Sequence, residues 1–252
     1  MTDAAAAFLT PDWPAPARVR ALTSLRGGGT SAAPFDSLNL GQRVGDEPVA
    51  LATNLARLAA ASGLPSPPAW LEQVHGVAVA NLDGPVLPQA DASFTRRPGT
   101  VCAIQTADCL PVLFAAADAS IVGAAHAGWR GLAGGVLEAT VLALRRVAGD
   151  ESLLAWLGPA IGPAHFEVGP EVRAAFTAVD PGAAEAFTRN ARGRWQCDLY
   201  ALARRALVRV GGVQVYGGGA CTYADEVRFF SYRRDGGRTG RMASLIWLEP
   251  AA

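Results

Sequence analysis

Three residues, His75, Cys109 and His126, carry the side chains best suited to hold a metal ion or to do nucleophilic chemistry. They lie in Gln73-Val74-His75-Gly76, Ala107-Asp108-Cys109-Leu110-Pro111 and His126-Ala127-Gly128-Trp129-Arg130-Gly131. The chain has only 3 histidines, and two of them fall in glycine-flanked turns beside strand-like runs. Two imidazoles and a thiolate form a ligand set that suits zinc. They leave a fourth position for water or substrate, as a catalytic rather than a structural site does. The same residues also suit a metal-free thiol enzyme, in which a histidine takes the proton of the cysteine. Asp108, next to Cys109, could orient a ligand or move a proton.

The elements around these residues must bring them together. Residues 110–116 and 121–127 are apolar runs separated by Ala117-Asp118-Ala119-Ser120, which reads as a hairpin loop. With four loop residues, 116 faces 121 and 111 faces 126, and Cys109 falls on the same face as His126. Diagonal same-face neighbours are about 7–8 Å apart at Cα. One ion bonded to a thiolate at about 2.3 Å and an imidazole at about 2.0–2.1 Å bridges that gap. A one-residue slip would put the two on opposite faces. His75 has to enter from another strand end.

Around that hairpin, residues 18–25 read as a first strand before a glycine-rich turn, and 48–62 as a helix opened by Pro48 and closed by Gly63. Further strands are predicted at 69–74, 77–82, 100–106, 153–158, 213–216, 228–232 and 243–248. Helices are predicted at 132–147, with Leu137, Val141 and Leu144 on one stripe, and at 170–179 and 199–210. The pattern is an α/β (α+β) mixed sheet with flanking helices, forming a single domain over 18–252 behind a loose, Ala/Pro-rich leader at 1–17.

Of the 252 residues, 50% are hydrophobic and 17% charged, enough for a large core. All 22 basic residues are arginine and the net charge is zero. The lack of lysine excludes a Schiff base or a P-loop lysine. The charge balance gives no case for nucleic acid or an anionic membrane as partner. The N-terminal stretch lacks the basic and apolar regions of a signal peptide, and the longest apolar region, 110–129, is broken by Asp118 and a turn. The cysteines form no Cys-x-x-Cys pair, so reduced thiols and a cytoplasmic location are expected. Cys102, Cys197 and Cys221 read as small buried hydrophobes, and His165 as a solvated surface histidine without a partner.

Two further segments could bind anions. Gly128-Trp129-Arg130-Gly131 leads into a helix whose free N–H groups, together with Arg130, suit a phosphate. The same glycines would equally allow close helix–sheet packing. Residues 229–241 carry a run of arginines around a turn, which reads either as an exposed hairpin or as a cationic rim for an anionic co-substrate.

Taken in order, the motifs resemble the YfiH, or laccase-domain, family. The resemblance runs from Ala21 to Leu248. It includes Ala21-Leu22-Thr23-Ser24-Leu25-Arg26-Gly27-Gly28, Ser37-Leu38-Asn39-Leu40-Gly41 and Val44-Gly45-Asp46. It continues through Gln73-Val74-His75-Gly76, Thr106-Ala107-Asp108-Cys109, His126 to Gly131, Gly158-Pro159-Ala160-Ile161-Gly162, Cys221-Thr222 and Phe229 to Arg234. One departure is Arg43, where the family pattern has histidine before x-Gly-Asp.

The resemblance implies a fold like that of the cytotoxic-necrotizing-factor deamidases and a zinc site at His75, Cys109 and His126. It also implies phosphorolysis of adenosine, inosine, guanosine and methylthioadenosine, with adenosine deamination as a second activity. Some members carry the label peptidoglycan editing factor. On that reading Arg26 and Arg130 are the expected anion clamps, and Asn39 and Gln73 the expected hydrogen-bonding partners of base or ribose.

Three rivals stand beside it. They are a metal-free Cys109/His126 hydrolase, a binding module with a structural metal, and the family's older label, a copper polyphenol oxidase. A blue site plus a trinuclear copper cluster needs far more than 3 histidines, and Met242 is a doubtful axial ligand.

Overall fold

Apolar runs too short for helices crowd the middle of the chain, and burial on both faces forces them into the centre of a layered sheet. The computed structural model describes residues 8–85, 89–149 and 152–250. In chain order, β1 (Phe8–Leu9) and β2 (Val19–Ser24) precede helix α1 (Pro48–Ser62). Five strands follow: β3 (Val79–Asn81), β4 (Ala92–Thr95), β5 (Cys102–Thr106), β6 (Leu110–Ala116) and β7 (Val122–Ala127). Next come helices α2 (Trp129–Gly134) and α3 (Val136–Ala148), strands β8 (Leu153–Leu157) and β9 (Glu167–Val168), and helix α4 (Pro170–Val179). A 3-10 turn at Pro181–Ala186, β10 (Phe187–Arg189), β11 (Trp195–Cys197), α5 (Leu199–Val210), β12 (Val213–Gly217) and β13 (Met242–Leu248) complete the order.

The central sheet has six strands in the order β12-β8-β6-β7-β4-β3, parallel at its two edges and antiparallel inside. A second, antiparallel sheet runs β1-β2-β13-β5, and a small one β10-β11-β9. The period-two alternation of a strand sorts β6 between two cores. Val112 and Phe114 face Leu137, Val141 and Leu144 of α3 and Leu202 and Ala206 of α5. Leu113 and Ala115 face Ile104 and Ile246 of the second sheet. The far side of that sheet packs Ala103, Leu245 and Trp247 against Leu58 of α1. The layers are therefore helices, six-stranded sheet, four-stranded sheet, helix: a single-domain α/β mixture of the expected class.

Local expectations fail in several places. Residues 8–17 are not loose: Phe8 and Leu9 pair with Ser24 and Thr23 of β2, and Leu9, Trp13 and Ala15 pack on the core between the sheets. Residues 1–7 lie outside the described residues. The helix expected at 132–147 begins instead at Trp129 and is cut at Gly135, whose φ of 94° ends α2 and restarts the chain as α3. The strand expected at 69–74 reduces to single bridges from Ala69 to Cys102 and Glu72 to Gln89. That expected at 228–232 is a series of turns, because its backbone bonds to nearby turn carbonyls and to side chains rather than to a ladder. β4 was not foreseen; its sequence, Ala-Ser-Phe-Thr, has no clear alternation. No helix among the described residues is long and apolar enough to cross a membrane.

Candidate metal centre

The β6–β7 hairpin has the register that the loop length predicts: Pro111 pairs with His126, and the Ala116 N–H donates to the Ile121 carbonyl. Cys109 stands at the entry to β6 and His126 one residue from the end of β7. His75, on the loop before β3, comes in across them. The ligand atoms of His75, Cys109 and His126 all lie within 4.8 Å of one another. Cys109 Sγ is 3.8 Å from His75 Nε2, and the two imidazoles meet edge to face at 4.8 Å. His126 is buried, Cys109 half-buried and His75 exposed, so the group opens on one side.

A fully buried carboxylate that sequence reasoning missed, Asp91, builds the centre. Its Oδ1 accepts from His126 Nδ1 at 2.8 Å and from the His75 amide at 2.9 Å. Its Oδ2 accepts from the amides of Gly76 at 2.7 Å and Val74 at 3.1 Å. The Nδ1 contact leaves Nε2 of His126 as the nitrogen free for a metal, the usual outer-shell arrangement of a metal-binding histidine. The three amides hold His75 at φ 61°, a left-handed conformation that only surrounding contacts can sustain. Burial alone would raise the pKa of Asp91, but His126 and these amides outweigh it and hold it below the ordinary value.

Burial likewise works against charge on Cys109 and His126. Their mutual attraction and hydrogen bonding prevail, with His75 aiding the thiolate and Asp91 aiding the imidazolium, so Cys109 is pushed down and His126 up. A thiolate is thus favoured where a metal ligand requires one.

Asp108 also has a positive φ, 89°, but it does not touch the histidines through its carboxylate. Its Oδ1 accepts from Thr222 Oγ1 at 2.6 Å, and its Oδ2 accepts from Ser231 Oγ at 3.0 Å and the Arg233 amide at 2.7 Å. It ties the 222–233 segment to the turn that presents Cys109. The carboxylate that contacts the two histidines is that of Asp91.

Two glycines make room. A Cβ on Gly128 would lie 2.7 Å from His75 Cδ2 and 3.1 Å from Cys109 Sγ. One on Gly131 would lie 2.8 Å from the Gly76 carbonyl. The centre therefore occupies a cradle that any side chain at Gly128 would fill, and its soft and borderline donors fit zinc.

The three candidate ligands line a cavity of about 670 Å³, in the range of small-molecule sites. Arg43, Arg130, Arg233 and Arg241 line it too, with Trp70, Trp129, Phe166 and Tyr232 as aromatic surfaces. Arg43 pairs with Glu72, and the Arg233 guanidinium donates to the Glu167 carbonyl. Arg241 donates to the carbonyls of Thr239 and Gly240, and burial pushes its pKa below the ordinary value. Arg130 lies 4.4 Å over the Trp129 ring and has no carboxylate partner among the described residues.

The other expected binding residues divide. Gln73 lines the cavity, but both ends of its amide are held by the Gln105 backbone. Arg26 lies outside the cavity wall, bonded to the Asp36 carbonyl and carboxylate. Asn39 is fully buried and satisfied by Asp46, Gly41 and Arg241. Both side chains are thus engaged by the chain's own groups. The 229–241 run is not a free hairpin, since Phe229 and Phe230 are buried while Tyr232, Arg233 and Arg241 face the cavity.

Fold and centre together define a mixed-sheet α/β protein with an open His/Cys/His group in an arginine-lined cavity. Residues 20–249 match the family described as multi-copper polyphenol oxidoreductase laccase, and the chain belongs to this laccase-domain, or YfiH, family. It is 57% identical over 244 residues to a protein of Pseudomonas aeruginosa named purine nucleoside phosphorylase, covering 96% of this chain and 99% of that one. It is 54% identical to the purine nucleoside phosphorylase YfiH of Escherichia coli, covering 96% and 98%. The crystal structure of a Neisseria meningitidis protein superposes with a TM-score of 0.88 at 51% identity, covering 96% of this chain and 99% of that one.

The family description invites a test for copper clusters, and the donor set fails it. The chain has 3 histidines. Met242 Sδ accepts from the Phe230 amide at 3.1 Å, buried among Ala107, Phe229 and Phe230 rather than facing the centre. One mononuclear site is what these residues can hold.

Proposed function

We propose that this chain is a zinc-dependent purine nucleoside phosphorylase, acting on adenosine, inosine, guanosine and methylthioadenosine, with adenosine deamination as a second activity. The observation that carries the reading is the cavity itself. Three metal-ligand atoms within 4.8 Å of one another share its wall with four arginines and four aromatic rings. Its support is the full-length similarity to proteins named for this activity.

His75, Cys109 and His126 would hold the zinc, and Asp91 fixes the two histidines from behind. Held there, zinc would supply Lewis acidity to the reaction. Phosphorolysis replaces the C1′–N bond to the purine with a C1′–O bond to phosphate. The chain must therefore hold an anion beside a neutral nucleoside and keep water out. Arg130, without a carboxylate partner, supplies the free guanidinium for the phosphate, and the aromatic walls supply faces for a purine. A cytoplasmic location, where thiols stay reduced, belongs to the same reading.

The test incubates metal-quantified protein with adenosine, with and without phosphate, and separates adenine, inosine and hypoxanthine. Phosphate-dependent adenine that follows zinc content and is lost in His75→Ala is expected. No product from zinc-loaded protein would sink the reading for this substrate.

One observation favours a second reading. Asp91, His126 and Cys109 also have the order of a metal-free thiol triad, the carboxylate orienting the histidine beside the nucleophile. Activity that survives a chelator but not alkylation of Cys109 would select it.

A further inference from the structure

A second cysteine has a histidine beside it, away from the metal centre. Cys221 Sγ lies 3.5 Å from His165 Nδ1. The sulfur also accepts the backbone N–H groups of Gly162 at 3.2 Å and Ala224 at 3.4 Å. The His165 ring is stacked on Tyr223, centroids 4.5 Å apart and planes 17° from parallel, which fixes it with Nδ1 toward the sulfur. All three side chains are half-buried rather than sealed in. A Cβ on Gly162 would come within 3.1 Å of Sγ, so that glycine is needed for its amide to reach the thiol. Cys221 is therefore not the fully buried hydrophobe expected, and His165 is not without a partner.

The remaining thiols differ. Cys102 and Cys197 are buried, and burial pushes Cys102 up to about 12 and Cys197 higher still. Cys109 belongs to the metal centre. We propose that Cys221 is a modification site, a nucleophilic thiol with His165 as its proton acceptor that reacts with small electrophiles, hydrogen peroxide among them.

With an alkyl halide, the Sγ–C bond forms as the carbon–halogen bond breaks. Halide leaves, and the thiol proton passes to His165 Nδ1. With hydrogen peroxide, the Sγ–O bond forms as the O–O bond breaks. Sulfur is oxidised by two electrons to the sulfenic acid, and the departing hydroxide takes the proton from His165 to become water. The amides of Gly162 and Ala224 hold the charge that gathers on sulfur as the proton leaves. Next along the chain, Thr222 donates to Asp108, which links this thiol to the turn that presents Cys109. The proposal is independent of the phosphorylase reading.

The experiment alkylates the full chain with iodoacetamide at neutral pH and follows each cysteine by peptide mass mapping over time. Cys221 is expected to react about tenfold faster than in His165→Gln, a modest share of what a positioned base contributes. Cys102 should stay unlabelled in both, marking an intact fold. Well above about pH 8.5, where an unassisted thiol ionises alone, the two rates should converge; a merely structural role for His165 would not produce that convergence. An unchanged or faster rate in His165→Gln, with Cys102 protected, overturns the proposal. Should that variant expose Cys102, Tyr223→Leu decides by the same comparison: slower alkylation of Cys221 supports the proposal and an unchanged rate overturns it. A sulfenic-acid trap after peroxide treatment should mark Cys221, and its absence there removes peroxide from the proposal.

Discussion

At the scale of single residues, the centre depends on two positions that are not ligands. Asp91 accepts four N–H groups, three from backbone amides and one from His126. Asp91→Asn would turn an NH2 group against some of those donors, unfixing the His126 ring and the His75 turn together. Metal affinity should fall by about 10–100-fold, as measured by competition with a chromophoric chelator; affinity equal to wild type would show that the carboxylate orients nothing. Gly128→Ala separates the centre from the fold. At φ −62° and ψ 155°, alanine is allowed by the backbone, and the only trespass is into the space between His75 and Cys109. His75 is exposed and can swing aside. Stability should therefore fall by no more than the roughly 1–3 kcal/mol of an overpacked buried site, while bound metal is lost. Retention of a full equivalent of metal would mean the ligands close up in some other way.

Elements explain which of these residues a reader of the sequence could find. The Cys109–His126 juxtaposition is legible because it is local: two apolar runs and a four-residue loop set a register, and register sets the face. Asp91 is not legible, because its partners are 15 to 35 residues away in two separate segments, the 74–76 loop and β7, and an acidic residue among Ala90, Ala92 and Ser93 resembles any strand-edge charge. Asp108 draws notice for its neighbour Cys109, while the partners of its carboxylate are 114 to 125 residues distant and no local pattern announces them. The break between α2 and α3 was hidden by the unbroken apolar stripe of α3. Gly135 makes the break by its left-handed φ of 94°, and a Cβ there would meet only Glu138 Oε2 at 3.6 Å. Gly135→Ala should thus cost backbone strain alone, about 1–2 kcal/mol, read as a lowered denaturant midpoint with unchanged slope. A neutral result would mean that the two helices join into one without penalty.

For the molecule as a whole, zero net charge hides a segregation. Four arginines line the cavity against Asp108 and Glu72, and Asp108 is already spent on Thr222, Ser231 and the Arg233 amide. A cleft with an excess of basic over acidic groups attracts an anion beyond what any pairwise contact supplies, and the attraction weakens as salt shortens the screening length. If phosphate is the co-substrate, its KM should rise with ionic strength while that of the neutral nucleoside stays nearly level. Arg130→Gln should raise the phosphate KM by about tenfold or more, the worth of one charge-assisted hydrogen bond of roughly 1.5–3 kcal/mol. Arg26→Gln is the contrasting variant, because its guanidinium is bonded to Asp36 outside the cavity. It should lower stability and leave the phosphate KM alone. Steady-state kinetics with each substrate varied in turn would check all three, and a phosphate KM that moves with Arg26 but not with Arg130 would place the anion elsewhere than in this cavity.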